Sequence, residues 1–185
     1  MGAITRSAYF LGVDAIATPS RQSAPWSTIA VKASAGAAEG IPIFTVADAS
    51  RFLSLSAREG WRIYASDAIP APVGRHPSIV TPHSAKDHHD NVSSKIVYAL
   101  SRGSKTTVDQ FPVSKHPTIL MMGSEDSGLR HSLLSASHYR VGIQAGRKTD
   151  EIGVDSLNVS AAASILCQEF LRKPPARRPG VDSLF

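Results

Sequence analysis

The chain has 185 residues, of which 42% are hydrophobic, so it is long enough for one domain with a buried core. It holds no apolar run of the roughly 20 residues that a membrane-spanning helix needs, and no membrane partner is expected. The formal net charge of +5 favours a polyanionic partner such as RNA, although a basic protein with scattered surface lysines has the same charge. Cys167 is the single cysteine, which excludes an internal disulfide.

Hydrophobic periodicity predicts helices and strands that alternate along most of the chain. Predicted helices cover residues 3–11, 26–38, 47–59, 129–136 and 156–171, and predicted strands cover residues 13–17, 41–45, 62–65, 118–122 and 139–143. Gly12 and Gly60 are expected to end the first and third helices. In the third helix, Phe52 and Leu55 are expected to face the core, with Leu53 as a further candidate. This alternation is typical of an α/β fold with a mainly parallel sheet flanked by helices.

A stretch rich in proline, histidine and serine interrupts the alternation, and residues 67–116 are predicted to contain an irregular insertion. Within it, residues 95–100 are predicted to form a short amphipathic element. Some of its side chains are of metal-ligand types, namely His83, Asp87, His88 and His89. Their spacing matches no compact zinc pattern and no cysteine assists them, so we interpret the segment as a solvated loop and expect no metal.

The two ends of the chain differ in character. Residues 173–185 are predicted to form a flexible basic tail, because their prolines prevent a helix from continuing. Residues 1–172 are assigned to one domain. The first residues match the start of a helix within a fold, and not a signal or transit peptide.

A loop with a glycine at each end follows the strand at residues 118–122, which is apolar and predicted to be buried. It reads Gly-Ser-Glu-Asp-Ser-Gly from Gly123 to Gly128. Ligands of open α/β folds bind at the carboxyl ends of parallel strands, and Gly123 allows a ligand to approach the main chain closely. Glu125 adds a carboxylate at the rim. The same residues also fit a plain turn into a helix whose first turn carries Glu125.

The second motif, at residues 155–163, reads Asp-Ser-Leu-Asn-Val-Ser-Ala-Ala-Ala and leads into the last predicted helix. Ser156 is a natural N-cap for this helix. Asn158 and Ser160 would then lie in its first turns. The alanines that follow have small side chains, so the helix can pack very closely against another chain or a ligand.

These two motifs and the string Gly-Ala-Ile-Thr-Arg-Ser at residues 2–7, in this order, resemble the SpoU/TrmH branch of the SPOUT RNA methyltransferases. Residues 6–14 and 32–37 look most like its mitochondrial members, which modify a guanosine ribose of large-subunit rRNA. The resemblance covers nearly all of the chain except residues 67–116 and the tail. It implies methylation of a ribose 2′-hydroxyl in RNA with S-adenosylmethionine as cofactor, and a mitochondrial location.

The resemblance also implies a fold and a set of roles. The α/β domain would contain a C-terminal trefoil knot, and the protein would act as a homodimer without a metal. The cofactor would lie in the knot against main chain at three positions, namely Gly123, Ile143 and Leu157. Arg6 matches the catalytic arginine of the family, and its other polar active-site positions correspond to Glu125, Ser156 and Asn158.

Arginine stays protonated at any physiological pH, so Arg6 is better suited to clamp a phosphate and a developing alkoxide than to act as a base. The family carries an asparagine six residues before this arginine, a position one residue ahead of Met1. The strand before that asparagine is missing as well. We therefore expect the chain to be truncated within its first motif and nearly inactive alone.

Two alternatives stay open. The missing asparagine favours a non-catalytic RNA-binding or assembly factor with the same fold. The presence of Arg6, Glu125, Ser156 and Asn158 disfavours it. An enzyme that methylates a base or a protein is disfavoured, because base-modifying relatives lack the Ser-Leu-Asn-Val-Ser string at residues 156–160.

Overall fold

The computed structural model of the chain describes residues 1–20, 26–67, 79–80, 96–100, 111–124, 127–146, 154 and 156–174. Its helices are α1 Gly2–Leu11, α2 Thr28–Ser34, α3 Ala37–Gly40, α4 Ala49–Arg58, α5 Pro112–Lys115, α6 His131–Ala136 and α7 Val159–Phe170. Its strands are β1 Ile16–Pro19, β2 Ile43–Val46, β3 Arg62–Ser66, β4 Ile79–Val80, β5 Ile96–Leu100, β6 Thr118–Met121 and β7 Tyr139–Ile143.

The described strands form two sheets. β1 and β2 pair in parallel as a two-stranded sheet. The second sheet has five strands in the order β4-β5-β7-β3-β6, in which β3 is parallel to both β6 and β7. β5 runs antiparallel to β4 and β7. The predicted mainly parallel α/β fold is confirmed. Because β3, β6 and β7 run in the same direction, the residues that follow them meet at one end of the sheet, called here its carboxyl end.

An aromatic core fixes α7 to one face of the five-stranded sheet. Tyr64 of β3 stacks on Tyr139 of β7, with their ring centroids 5.0 Å apart. Phe170 of α7 meets the Tyr64 ring edge-on at 4.8 Å, and Leu166 is buried in the same cluster. Burial of a side chain such as Phe170 contributes about 1.5–3 kcal/mol, so this cluster determines where α7 lies.

The opposite face of the sheet has its own core, because successive residues of a strand point to opposite sides. Ile63, the neighbour of Tyr64, is fully buried there with Leu53 of α4 and Leu133 of α6. The prediction for α4 was wrong in part. Leu53 is its buried residue at 3% exposure, whereas Phe52 and Leu55 are 39% and 48% exposed. The sheet contacts only the narrow stripe of α4 on which Leu53 lies.

α1 packs against α2 and α3 and also against α7. A Cβ atom at Gly2 would meet the carbonyl oxygen of Ala30 in α2, so this contact requires glycine. The prediction of a single helix over residues 26–38 was wrong. The chain forms α2 and α3 instead, because Ala35 and Gly36 adopt φ angles of 50° and 87°, which interrupt a helix.

The segment 67–116 contains regular elements, and β5 lies where the sequence predicts a short amphipathic element at residues 95–100. β5 pairs with β7 along its length, and Ile96, Val97 and Tyr98 are buried. α5 also lies in this range. The candidate metal ligands His83, Asp87, His88 and His89 lie outside the described residues. The domain boundaries stay a prediction.

Other element boundaries differ by a few residues. β1 begins at Ile16, later than the predicted strand at residues 13–17. Gly12 follows α1 in the left-handed conformation, with a φ angle of 89°, as predicted. β6 is half-buried and not fully buried, because it is the outermost described strand on its side of the sheet. No helix in the described ranges has both the length and the hydropathy needed to cross a bilayer.

His138 contributes a pH-dependent contact between β3 and the start of β7. Its Nδ1 atom accepts a hydrogen bond from the backbone N–H of Ile63 at 3.0 Å, which requires that this nitrogen carry no proton. Burial, and to a lesser extent the charge of Arg62, lower the pKa of His138 below its ordinary value of 6.5. At pH values just below 6.5 the unfolded chain therefore binds more protons than the folded one.

We expect the free energy of unfolding to decrease as the pH falls below about 6.5, because protonation of His138 in the unfolded chain favours unfolding. Urea unfolding at about pH 7.5 and about pH 5.5 measures this change. The matched variant His138→Asn can offer an amide oxygen to Ile63 but does not titrate. Its unfolding midpoint should depend less on pH, and an equal pH dependence in both proteins contradicts the prediction.

Candidate functional site

Two of the predicted cofactor-binding residues lie at the carboxyl end of the sheet. Gly123 follows β6, Ile143 ends β7, and β3 lies between these two strands. The backbone N–H of Gly123 donates a hydrogen bond to the Oγ atom of Ser66, the last residue of β3, at 3.3 Å. Met122 and Ile143 pack against the same aromatic core. Strand order and register therefore bring Gly123 and Ile143 to one place, although 20 residues separate them in the sequence.

The loop after β6 closes on itself through its main chain. Ser124 and Gly128 exchange backbone hydrogen bonds of 3.3 and 3.0 Å. The hydroxyl groups of Ser124 and Ser127 lie 2.8 Å apart. A Cβ atom at Gly123 would lie 2.6 Å from the carbonyl carbon of Gly128, so only glycine fits the closed form. The closed loop lies at the carboxyl end of the sheet, with glycine at both of its ends. Glu125 lies outside the described residues.

An ion pair at the same end of the sheet was missed by sequence reasoning. Asp67 directly follows β3, and its backbone N–H donates to the carbonyl oxygen of Val141 at 2.9 Å. Its carboxylate lies 3.2 Å from the guanidinium group of Arg140 in β7. The sequence signal for this ion pair was a carboxylate, Asp67, directly after a predicted strand. The pair is partly exposed, so its contribution to stability is small, and it serves mainly to orient the two side chains.

Asn158, and not Ser156 as predicted, caps the last helix. Its Oδ1 atom accepts hydrogen bonds from the backbone N–H and the hydroxyl group of Ser160, at 2.9 and 2.6 Å. α7 therefore begins at Val159. Ser156 and Leu157 precede it in the loop and are exposed, Leu157 by 48%. These two hydrogen bonds hold the side chain of Asn158 in place at the start of α7.

Arg6 is exposed on α1, the helix that packs along α7. The next residue, Ser7, places its Oγ atom 2.8 Å from the Oγ atom of Ser164 in α7. Asn158 precedes Ser164 by six residues, which is about 9 Å along a helix axis. The fold therefore brings the helix that carries Arg6 to the helix that Asn158 caps, from opposite ends of the chain.

The described residues with metal-ligand side chains form no group of three or more that could hold a metal ion. Burial raises the pKa of the Cys167 thiol, so this residue of α7 stays protonated and behaves as a small apolar side chain. The described part of the site consists of main chain, hydroxyl groups, an amide and a guanidinium group.

The amino-acid sequence matches the model of the SpoU rRNA Methylase family over residues 1–77 and 75–168. It is 32% identical over 165 residues to the human rRNA methyltransferase 1, mitochondrial, covering 89% of this chain and 40% of that protein. It is 35% identical over 166 residues to the Schizosaccharomyces pombe protein of the same name, covering 90% of this chain and 45% of that protein. The chain thus spans less than half the length of these relatives.

The fold is similar to that of the SpoU methyltransferase AviRb from Streptomyces viridochromogenes, solved in complex with the cofactor AdoMet. The TM-score is 0.59 at 20% sequence identity, and the match covers 92% of this chain and 53% of that chain.

Proposed function

Because this chain belongs to the SpoU rRNA methylase family, we propose that it transfers a methyl group from S-adenosylmethionine to RNA. The family match carries the proposal, since residues 1–77 and 75–168 include α1, the loop after β6 and the start of α7. The names of the two mitochondrial relatives support rRNA as the substrate. The formal net charge of +5 is consistent with a polyanionic partner.

The proposed cofactor site is the carboxyl end of the sheet, against the main chain of Gly123, Ile143 and Leu157. The residues present fit an adenosyl group, because the loop carries no side chain at Gly123 or Gly128 and Ile143 provides an apolar wall. AviRb, which has a similar fold, carries AdoMet in its structure. When bound, S-adenosylmethionine supplies a methyl group together with its leaving group, so the proposal includes no metal.

The polar residues are proposed to act on the RNA. The Arg6 guanidinium group binds a phosphate and stabilises the negative charge that develops on the attacking oxygen. Asn158 is proposed to contact the substrate as well, with its side-chain oxygen held in place by Ser160. Glu125 and Ser156 complete the proposed polar set. The exposed position of Arg6 supports this role, because an RNA can reach it from solvent.

The methyl acceptor is proposed to be a ribose 2′-hydroxyl, of a guanosine in mitochondrial large-subunit rRNA. The Ser-Leu-Asn-Val-Ser string at residues 156–160 supports ribose as the acceptor, because base-modifying relatives lack it. The two relatives are named as mitochondrial proteins, which supports the location.

The proposal includes a C-terminal trefoil knot and a homodimer. Ile165 of α7 is 41% exposed, and Tyr9 and Phe10 of α1 are 54% and 85% exposed, which leaves apolar surface on both helices for a second subunit to cover. Sedimentation velocity at micromolar concentration tests the dimer. A compact species of 19.7 kDa for this chain contradicts it.

Tritium transfer from labelled S-adenosylmethionine to large-subunit rRNA tests the function directly. We expect the full gene product to label the RNA, and nuclease digestion to release a dinucleotide that is resistant because its 2′-hydroxyl is methylated. Label on a base contradicts ribose chemistry. RNA binding without any transfer supports the alternative of a non-catalytic assembly factor.

A further inference from the structure

We propose that Ser7 and Ser164 are positioning residues that hold the helix carrying Arg6 in a fixed register against the helix capped by Asn158. This inference rests on the proposed function, because the register matters only when Arg6 and Asn158 act on the same RNA. The Oγ atoms of Ser7 and Ser164 lie 2.8 Å apart across the contact between α1 and α7. The Oγ atom of Ser164 also lies 2.8 Å from the carbonyl oxygen of Ser160, one turn earlier in α7.

The Oγ atom of Ser164 is the donor in both hydrogen bonds, to the Oγ atom of Ser7 and to the carbonyl oxygen of Ser160. Its single hydroxyl proton is therefore shared between these two acceptors. Ser7 and Ser164 are both partly buried, so water competes less for these hydroxyl groups than at the surface.

The same hydrogen bonds continue to Asn158. Ser160 donates both its backbone N–H and its hydroxyl group to the Oδ1 atom of Asn158, at 2.9 and 2.6 Å. A connected polar path therefore runs from Ser7, the neighbour of Arg6 in the sequence, through Ser164 and Ser160 to Asn158. We name these four serine and asparagine side chains the α1–α7 relay. One end of the relay is the sequence neighbour of Arg6, and the other end is Asn158 itself. Arg6 and Asn158 are both proposed to contact the RNA.

Packing alone defines this register weakly. The buried residues next to the two serines are Ala8 and Ala163. Small side chains let two helices approach closely but provide few interlocking contacts that are specific to one register. A directional hydrogen bond between side chains opposes a shift of one helix along the other. Such a shift matters, because even a small error in the position of a catalytic group lowers the rate.

Kinetics of the full gene product test the relay. We expect Ser7→Ala and Ser164→Ala each to lower kcat for RNA methylation by about tenfold, because a slightly misplaced arginine loses transition-state contact. The double variant should lose no more than either single variant, since one hydrogen bond is broken in all three. Ser7→Thr keeps the hydroxyl group and should restore kcat. Affinity for S-adenosylhomocysteine should stay within about twofold throughout, because neither Ser7 nor Ser164 belongs to the proposed cofactor site.

A second measurement does not depend on activity. Spin labels at the exposed positions Ala3 and Ala161, in a Cys167→Ala background, report the distance between α1 and α7. We expect a broader distance distribution in Ser164→Ala than in the parent protein. An unchanged distribution, or full turnover in both alanine variants, overturns the proposal. If the unmodified protein transfers no methyl group, the proposed function fails and the distance distributions alone decide the relay.

Discussion

Replacing Arg6 by alanine should lower the rate of RNA methylation by about a hundredfold or more, the usual loss when a charge-stabilising donor is removed. The exposed guanidinium group on α1 is proposed to meet the RNA and the developing alkoxide, and not the cofactor. The affinity for S-adenosylhomocysteine should therefore stay within about twofold of the unmodified protein. Single-turnover methylation and titration calorimetry on the full gene product measure the two quantities.

Two matched variants separate this role from charge in general. Arg58→Ala removes an exposed arginine from α4 and should change the methylation rate little. Arg6→Lys keeps the charge but not the planar fork of donors, so its rate should lie between those of the unmodified protein and Arg6→Ala. Equal rates in Arg6→Ala and the unmodified protein would show that another residue stabilises the alkoxide.

Replacing Gly123 by alanine should weaken the binding of S-adenosylhomocysteine by about tenfold or more. The added Cβ atom would lie 2.6 Å from the carbonyl carbon of Gly128 and 2.8 Å from the backbone nitrogen of Leu129. Main chain cannot rotate away as a flexible side chain can, so the closed loop has to shift. Overpacking of this kind costs about 1–3 kcal/mol, and 1.4 kcal/mol corresponds to about tenfold in affinity.

Gly2→Ala is the control for this experiment. It adds the same methyl group against backbone, at Ala30, but at the contact between α1 and α2. Thermal unfolding should show a loss of stability for Gly2→Ala, while calorimetry of its folded fraction should give unchanged cofactor affinity. Tight cofactor binding by Gly123→Ala would move the proposed site away from the loop after β6.

The α/β character of the fold was predictable, because local hydrophobic patterns specify it. The strands at Arg62–Ser66 and Tyr139–Ile143 are short apolar or β-branched segments bounded by polar residues, and their boundaries were predicted within one residue. α1 was equally clear, since Gly12 ends it in a conformation that glycine adopts at little cost. The carboxyl end of the sheet was also a candidate site from the sequence, because a glycine-flanked loop follows a predicted strand there, although the same residues fit a plain turn into a helix.

Side-chain orientation was less predictable where several apolar residues are close together. Phe52, Leu53 and Leu55 are all apolar residues of α4, and only contact with the sheet selects Leu53 for burial. The same holds for the last helix. Ser156 and Asn158 are both good capping residues, and the choice of Asn158 depends on the two hydrogen bonds that Ser160 donates.

The amino-acid sequence by itself determined most of the helices and strands and the residue types of the candidate site, since both depend on patterns within about ten residues. It did not show the break between α2 and α3, nor α5. Only the tertiary structure decided that β5 joins the sheet, that Gly123 and Ile143 lie at one end of it on either side of β3, and that Ser7 contacts Ser164. These contacts join residues far apart in the chain, and a local pattern carries no information about which distant surface will cover it. They form because the aromatic core around Tyr64 fixes α7 on the sheet, and α7 in turn provides the surface on which α1 lies.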